Sequence, residues 1–248
     1  MEFENIQVKL LGAGAAQGVS MALADTFKAE TGGEIIGSFG AVGAMQQKLQ
    51  AGEPCDLIIL TEGQIAALAN SQRVLADSAA ALGSVRAGIA VARGETVPDV
   101  STAARLRTAL LMAEGIYFPD PQIATAGAHF ADVLFQLGVK HAVGQRSRTY
   151  PSGAAAMRAM VADYGVDIVD GYHQRLIGCT QISEINSTPG AVLAGSLPKQ
   201  FELVTVYSVA VCAGSDAKKT AAALHFSRML TAANSRELRA DAGFEIRS

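Results

Sequence analysis

Residues 56–61 read Asp-Leu-Ile-Ile-Leu-Thr, so that four consecutive apolar side chains follow one acidic residue. A strand that helices cover on both faces has such a continuous apolar run, whereas a strand with one wet face alternates apolar and polar side chains. A helical pattern follows at once over residues 64–70. This stretch therefore predicts an α/β fold in which parallel strands are buried in the sheet.

The same strand–helix unit occurs twice upstream of this run. Residues 8–14 predict a buried strand that ends in a glycine turn, and apolar residues at helical spacing follow over 20–30. Residues 34–39 predict a second strand, and a helix follows over 44–51. The resulting βαβαβα order favours a parallel sheet with right-handed crossovers.

A second β/α series begins after residue 115. Strands are predicted over 115–118 and 146–150 and within 175–185, and helices over 126–137 and 154–163. A strand over 84–93 and a helix over 102–112 precede this series. The strongly β-forming segment 202–213 follows it, together with helices over 218–233 and 235–240.

These two series predict two lobes. We expect residues 1–88 and 207–248 to form lobe 1 and residues 89–206 to form lobe 2, because the last strand and helices find no partner in the second series. Two strands would then join the lobes as a hinge, with a ligand cleft between the lobes.

The composition excludes several function classes. The 248 residues are 50% hydrophobic and 17% charged, with a net charge of -3, which is typical of a folded core and not of a disordered chain. No basic run predicts binding to nucleic acid or to a membrane surface, and no apolar stretch is long enough to insert in a membrane. Cys55, Cys179 and Cys212 lack the spacing of a zinc site and are interpreted as reduced core residues.

Neither a metal nor a nucleotide cofactor is predicted. Gly12, Gly14 and Gly18 depart by one position from the dinucleotide fingerprint, so they indicate a tight turn or a backbone anion nest. No metalloprotease motif and no serine nucleophile elbow occur in the sequence.

The first five residues do not resemble a secretory signal. They are acidic and lead directly into the first strand, without a basic start or an apolar stretch. The sequence as written therefore predicts a cytoplasmic protein, or a periplasmic one if a leader has been trimmed. An exported protein would have the membrane component of an ABC transporter as a partner.

Several segments resemble the type II periplasmic binding protein fold, and among its members the molybdate-binding-protein-like chains. Within the stretch Leu-Gln-Ala-Gly-Glu-Pro-Cys-Asp-Leu-Ile-Ile at 49–59, residues 51–59 are the most specific of them. The others are Phe-Lys-Ala-Glu-Thr-Gly at 27–32, Ser-Phe-Gly-Ala-Val-Gly-Ala-Met at 38–45, Pro-Asp-Pro at 119–121 with Ala-Gly at 126–127, and Ala-Gly-Phe at 242–244.

The resemblance implies a small anion between two lobes, held by hydroxyls and by amides at helix N-termini. The ligand positions that it implies are Ala15, Ala16 and Gln17 in the first loop, Ala41, Val42 and Gly43 in the second, and Gln181 where the family has a tyrosine. Molybdate binders of the family use serine in the two loops. Alanine at these places favours a carboxylate over molybdate.

Other candidates come from the residues themselves. Thr61 ends a strand, Thr125 and Ala126 begin a helix with Thr125 as the expected N-cap, and Ser152 opens another helix. Arg146 and Arg148 are expected on one face of a strand, where the Arg148 guanidinium could clamp a carboxylate. The candidates for proton transfer are His129, Glu184 and Tyr207.

Three functions remain open. The first is a receptor that closes around a small oxyanion or carboxylate. The second is a cofactor-free isomerase that moves a double bond in a tricarboxylic acid such as aconitate, since the segment Gln-Ile-Ser-Glu-Ile at 181–185 resembles an aconitate-isomerase-like branch of the family. The third is an intracellular ligand sensor.

Overall fold

The computed structural model describes residues 2–166 and 174–246. The chain divides into two compact units: unit 1 comprises Met1–Val85 and Thr205–Ser248, and unit 2 comprises Arg86–Val204. The sequence-based boundaries, after residues 88 and 206, differ from these by three and two residues.

The described residues contain ten strands and ten helices. The strands are β1 (Gln7–Ala13), β2 (Glu34–Gly40), β3 (Leu57–Thr61), β4 (Ala80–Ala92), β5 (Gly115–Pro119), β6 (Ser147–Tyr150), β7 (Leu176–Gln181), β8 (Ala191–Ser196), β9 (Val204–Val211) and β10 (Phe244–Glu245). The helices are α1 (Gln17–Thr31), α2 (Val42–Gln50), α3 (Glu62–Asn70), α4 (Ala103–Met112), α5 (Thr125–Gln136), α6 (Lys140–Val143), α7 (Gly153–Val166), α8 (Ile182–Asn186), α9 (Ala217–Thr231) and α10 (Arg236–Asp241).

Unit 1 is built around β1. This strand pairs in parallel with β2 and with β3, and β3 pairs antiparallel with β9. The four residues from Leu57 to Leu60 in β3 are completely buried, as their continuous apolar run predicts. The short strand β10 pairs antiparallel with the first part of β4.

Unit 2 repeats this plan around β5. This strand pairs in parallel with β6 and with β7, while β7 and β8 pair antiparallel with the second part of β4. Successive residues of β5 belong to different cores: Ile116 and Phe118 pack with Phe130 of α5, whereas Tyr117 packs with Met157 of α7. Helices therefore cover both faces of the strand, and the predicted α/β class with mixed sheets is confirmed.

One strand start was predicted wrongly, with a consequence for a candidate residue. Arg146 lies in a 3-10 turn before β6, and its guanidinium donates to the carbonyls of Leu111 at 3.2 Å, Ala142 at 3.0 Å and Ala113. The last carbonyls of a helix lack intrahelical partners, and those at the end of α4 therefore attract the cation. Arg146 and Arg148 do not share a strand face, contrary to the prediction.

Three described elements of unit 2, β8, α6 and α8, were not predicted. The segment of β8 contains alanines and a glycine without clear alternation, so its pairing with β4 decides its conformation. Within residues 2–166 and 174–246, no helix has both the length and the apolar character needed to cross a membrane.

Candidate functional site

In unit 1 three helices begin at one edge of the sheet. The register pairs Ala13 with Gly40 and Gly12 with Ile59, so that β1, β2 and β3 end side by side. The helices α1, α2 and α3 start directly after these three strands. Their N-terminal amides are therefore near the carboxyl edge of the strands, where α/β folds collect ligands.

The starts of α1 and α2 have no side-chain cap. The N-cap residues are Ala16 and Ala41, and neither can offer an oxygen to the first amides of its helix. A buried 3-10 turn over Gly14–Ala16 precedes α1. The candidates Ala15, Ala16 and Gln17 thus lie at the entry of α1.

The second loop has the same character. Ala41 is the N-cap of α2, and Val42 and Gly43 are its first two helical residues. Any contact made there to an anion comes from backbone N–H groups, which carry the positive end of the helix dipole.

The start of α3 is capped by side chains of its own N-terminal residues. Thr61 is the N-cap, its Oγ1 accepts from the Gln64 N–H at 3.4 Å, and Gln64 Oε1 accepts from the Thr61 N–H at 3.2 Å. The Thr61 hydroxyl also donates to Gln64 Oε1 at 2.7 Å. This capping box holds the hydroxyl that the sequence suggested as a ligand donor.

Tyr207 lies beside Thr61 in the register of β3 and β9. It is 3% exposed, and its ring packs edge-on against Phe244 at 6.2 Å between ring centroids. Of the three candidates for proton transfer, it is the one at the edge of unit 1 where the helices start.

Unit 2 has an equivalent edge. Pro119 pairs with Tyr150 and Tyr117 pairs with Gly178, so that β5, β6 and β7 end close together. The helices α5, α7 and α8 begin beyond this edge.

The start of α5 differs from the prediction by one residue. Ala124 is the N-cap, without a side-chain cap, and Thr125 is an exposed first helical residue, so the expected N-cap hydroxyl of Thr125 is wrong. The reason is the turn before the helix, in which the Asp120 carbonyl accepts from the Ala124 N–H at 3.0 Å. Ala126 is buried in the first turn of α5.

The first amides of α7 are capped by two side chains that come from different segments of the chain. Ser152 Oγ accepts from the Ala155 N–H at 3.2 Å, and Glu184 Oε1 accepts from the Ala154 N–H at 3.2 Å. These two amides therefore already donate hydrogen bonds to side chains of the protein. The Ser152 hydroxyl, which accepts in this contact, is half-buried.

Glu184 is a buried acid, 6% exposed, at the third position of α8. Thr180 Oγ1 donates to its Oε2 at 2.6 Å. Burial raises the pKa of Glu184, and hydrogen bonds from Thr180 and from the Ala154, Gln181 and Gly153 amides oppose that rise. The Gln181 amide belongs to the N-cap of α8, and Gln181 itself is 2% exposed.

Gly153 explains how Glu184 reaches α7. A Cβ on Gly153 would lie 1.8 Å from Thr180 Oγ1 and 2.1 Å from Glu184 Oε2, so only glycine fits there. The sequence showed this glycine as part of a helix entry. The contact of Glu184 with the start of α7 depends on tertiary packing and could not be predicted from the sequence.

Arg148 is paired within unit 2. Its guanidinium contacts Asp163 and donates to the Tyr117 hydroxyl at 2.7 Å, and the same hydroxyl donates to Asp163 at 2.6 Å. The guanidinium also lies 5.2 Å from the centre of the Tyr117 ring. The Asp163 carboxylate thus already balances the charge proposed as a carboxylate clamp.

His129 is tied to a backbone carbonyl. Its Nε2 lies 2.8 Å from the Phe201 oxygen, also in unit 2. This contact orients the ring and favours the tautomer with the proton on Nε2.

Sequence reasoning overlooked two serines. The hydroxyls of Ser20 in α1 and Ser183 in α8 are buried and have no hydrogen-bond partner among the described residues. Both lie within the first turns of helices that start at the two edges. In the described part of the chain, no group of three or more His, Cys, Asp or Glu side chains could hold a metal ion.

Residues 8–245 match the family model described as bacterial extracellular solute-binding protein. The chain belongs to this solute-binding family. The match takes in both edges where helices start, and it confirms the family that the sequence motifs indicated.

Solved structures show the same fold for this solute-binding protein. The periplasmic molybdate-binding protein of Azotobacter vinelandii is 18% identical, with a TM-score of 0.76 over 97% of this chain and 100% of that one. The sulfate-binding protein SubI of Mycobacterium tuberculosis is 19% identical, with a TM-score of 0.69 over 97% of this chain and 86% of that one. The type II binding-protein fold is thereby confirmed.

A curated relative has an enzyme's name. The aconitate isomerase of a Pseudomonas species is 26% identical over 221 residues, which cover 87% of this chain and 79% of that protein.

Proposed function

We propose that this solute-binding protein binds a small carboxylate or oxyanion through backbone amides at the starts of α1 and α2. The observation that carries the proposal is the contrast between helix starts of unit 1. The starts of α1 and α2 lie behind alanine N-caps without side-chain caps, whereas Thr61 and Gln64 close the start of α3.

Uncapped helix starts suit an anion for two reasons. The first amides of a helix lack intrahelical acceptors, and the helix dipole adds positive potential at the same place. A capping side chain would compete with the ligand for these amides. Alanine at positions 16 and 41 removes that competition.

The donors favour a carboxylate as the ligand. Neither loop has a hydroxyl at its N-cap, so binding depends on amide donors, which can serve the two oxygens of a carboxylate but offer fewer hydrogen bonds to the four oxygens of a tetrahedral oxyanion. The uncapped start of α5 in unit 2, with Thr125 and Ala126, is a further proposed contact. We also propose an exported receptor that serves the membrane component of an ABC transporter, in line with the family's extracellular description.

A ligand screen tests this proposal directly. We expect citrate or an aconitate isomer to raise the melting temperature more than sulfate or molybdate, because binding to the native state alone stabilises it. Calorimetric titration then gives the affinity of each anion. The absence of any shift with all of them would contradict anion binding, and the largest shift with molybdate would contradict the preference for carboxylates.

A charge placed at the N-cap of α2 tests the location. Ala41→Asp supplies a carboxylate that caps the helix internally, so we expect at least about tenfold weaker binding of the anion found in the screen. Thr102→Asp, at the exposed N-cap of α4 in unit 2, adds the same charge to a helix that the proposal does not use and should leave the affinity unchanged. Equal affinity in the two variants would remove α2 from the proposal.

A second candidate function is isomerisation of aconitate, favoured by the curated relative with that name. A base would remove a proton next to a carboxylate, the helix amides would stabilise the enolate-like charge, and the proton would return at another carbon so that the double bond shifts. Tyr207, His129 and Glu184 remain the proposed groups for proton transfer.

Proton NMR in heavy water distinguishes the two functions. An isomerase would interconvert the cis and trans forms of aconitate and incorporate deuterium at the exchanged carbon. Saturating binding without interconversion or exchange after long incubation would leave the receptor function alone.

A further inference from the structure

Two cysteine thiols of unit 1 lie in contact although they are 157 positions apart in sequence. The sulfur atoms of Cys55 and Cys212 are 3.4 Å apart. Cys55 precedes β3 and Cys212 follows β9, and these strands are antiparallel with Leu57 opposite Val211. The strand pairing therefore brings the two residues to the same end of the pair.

The backbone around the pair is fixed on both sides. The Cys212 N–H donates to the Asp56 carbonyl at 2.9 Å, and the Asp56 N–H donates to the Lys9 carbonyl at 2.8 Å. The Asp56 carboxylate accepts from the Lys9 N–H at 2.8 Å and from Ser215 Oγ at 2.7 Å. Backbone hydrogen bonds of unit 1 thus hold the two thiols close together.

The two thiols differ in access and in acidity. Cys55 is half-buried, whereas Cys212 is 3% exposed. The hydrogen bond between them, in which the Cys212 thiol donates, lowers the pKa of Cys55 and raises that of Cys212. Cys55 is therefore the sulfur that an oxidant reaches and the better nucleophile.

We propose that Cys55 and Cys212 are a disulfide-forming pair, oxidised by exchange with an external disulfide. The Cys55 thiolate attacks one sulfur of that disulfide, which forms a mixed disulfide and releases the first thiolate. Cys212, after losing its proton, attacks the Cys55 sulfur and expels the second thiolate. The external disulfide is reduced to two thiols, and the protein loses two hydrogen atoms. The sulfurs need to approach by about 1.4 Å, from 3.4 Å to about 2.0 Å, to form the bond.

The position of the pair separates its effect from ligand binding. It lies at the amino end of β3, while α3 begins at the carboxyl end of the same strand. The covalent link closes a loop of more than 150 residues, which restricts the unfolded chain and stabilises the folded one. The disulfide should therefore raise the free energy of unfolding and leave the anion affinity of α1 and α2 unchanged. The inference can thus be tested independently of the proposed ligand.

Cys179 provides a matched control. It is fully buried in unit 2, and burial raises its pKa, so it should resist oxidation. Cys179→Ala should keep the disulfide, whereas Cys55→Ser should abolish it. If a variant fails to fold, identifying the disulfide-linked peptides of the oxidised wild type still tests the proposal.

The experiment oxidises the purified chain with excess oxidised glutathione and counts thiols in denaturant. We expect the count to fall from the three of the reduced chain to one, with a peptide pair linked through Cys55 and Cys212 in mass spectrometry. The melting temperature should rise by about 5–15 °C in the wild type and in Cys179→Ala, and not in Cys55→Ser. An unchanged thiol count, a link to Cys179 or an unchanged melting temperature would overturn the proposal.

Discussion

At the residue scale, Glu184 shows how one buried acid organises two helix starts. Its carboxylate accepts from the Ala154 amide of α7, and the Gln181 amide at the N-cap of α8 also stabilises its charged form. Thr180 occupies its other oxygen. The buried acid therefore caps the start of α7, and the absence of a side chain at Gly153 leaves space for its carboxylate.

The raised pKa of Glu184 predicts a pH dependence of stability. A carboxyl whose pKa is higher in the folded state stabilises the protein below its unfolded pKa, and this contribution is lost as the pH rises through the folded pKa. We expect the unfolding free energy of the wild type to fall from pH 5 to pH 8 by about 1.4 kcal/mol for each unit of pKa difference. Glu184→Gln, which keeps an oxygen for the Ala154 amide, should lack this fall.

Urea unfolding at both pH values measures this effect. Glu30→Gln, an exposed change near the end of α1, serves as the control and should keep the wild-type dependence. The same pH dependence in Glu184→Gln and in the wild type would show that Glu184 does not titrate in this range.

At the element scale, short-range sequence decides how each helix begins. Thr61 followed three residues later by Gln64 forms a capping box, while Ala16 and Ala41 leave the starts of α1 and α2 to their amides. Strand and helix types in both series agree with the sequence patterns, because apolar periodicity reports burial directly. Boundaries were less accurate at Arg146, which contacts carbonyls of α4 more than 30 residues away, and at Thr125, where the turn at Asp120 makes Ala124 the N-cap.

Loss of the cap at α3 should be measurable. Thr61→Ala removes the oxygen that accepts from the Gln64 amide, so we expect a loss of about 1 kcal/mol in unfolding free energy. Thr61→Ser keeps the hydroxyl and should stay within about 0.5 kcal/mol of the wild type. Chemical denaturation gives both values, and equal losses in the two variants would assign the effect to the methyl group.

At the scale of the whole molecule, segments far apart in sequence complete unit 1. The helix α10 contributes Arg239, which is 3% exposed. Its guanidinium donates to the carbonyl of Leu82 at 2.6 Å and to those of Ala232 at 2.9 Å and Thr231 at 3.2 Å. This single side chain joins the end of α9 to β4 across 157 residues.

Replacing this arginine should destabilise the fold. Arg239→Lys cannot reach all three carbonyls with one ammonium group, so we expect a loss of about 2–4 kcal/mol in unfolding free energy. Arg236→Lys, at an exposed position of the same helix, should change it by less than about 0.5 kcal/mol. A thermal or urea denaturation series compares the two, and equal stability would show that the carbonyl contacts contribute little.

The sequence alone determined the α/β class, the alternation of strands and helices at the start of each series, and the solute-binding family, because these depend on local periodicity and on contiguous motifs. The lack of hydroxyls in the loops before α1 and α2 was also visible, although both helices start two to three residues earlier than the sequence predicted. Only the tertiary structure decided that Glu184 closes the start of α7, that Asp163 pairs with Arg148, and that Cys55 meets Cys212. These contacts join residues that lie 15 to 157 positions apart, and strand pairing and packing set such distances while local sequence does not.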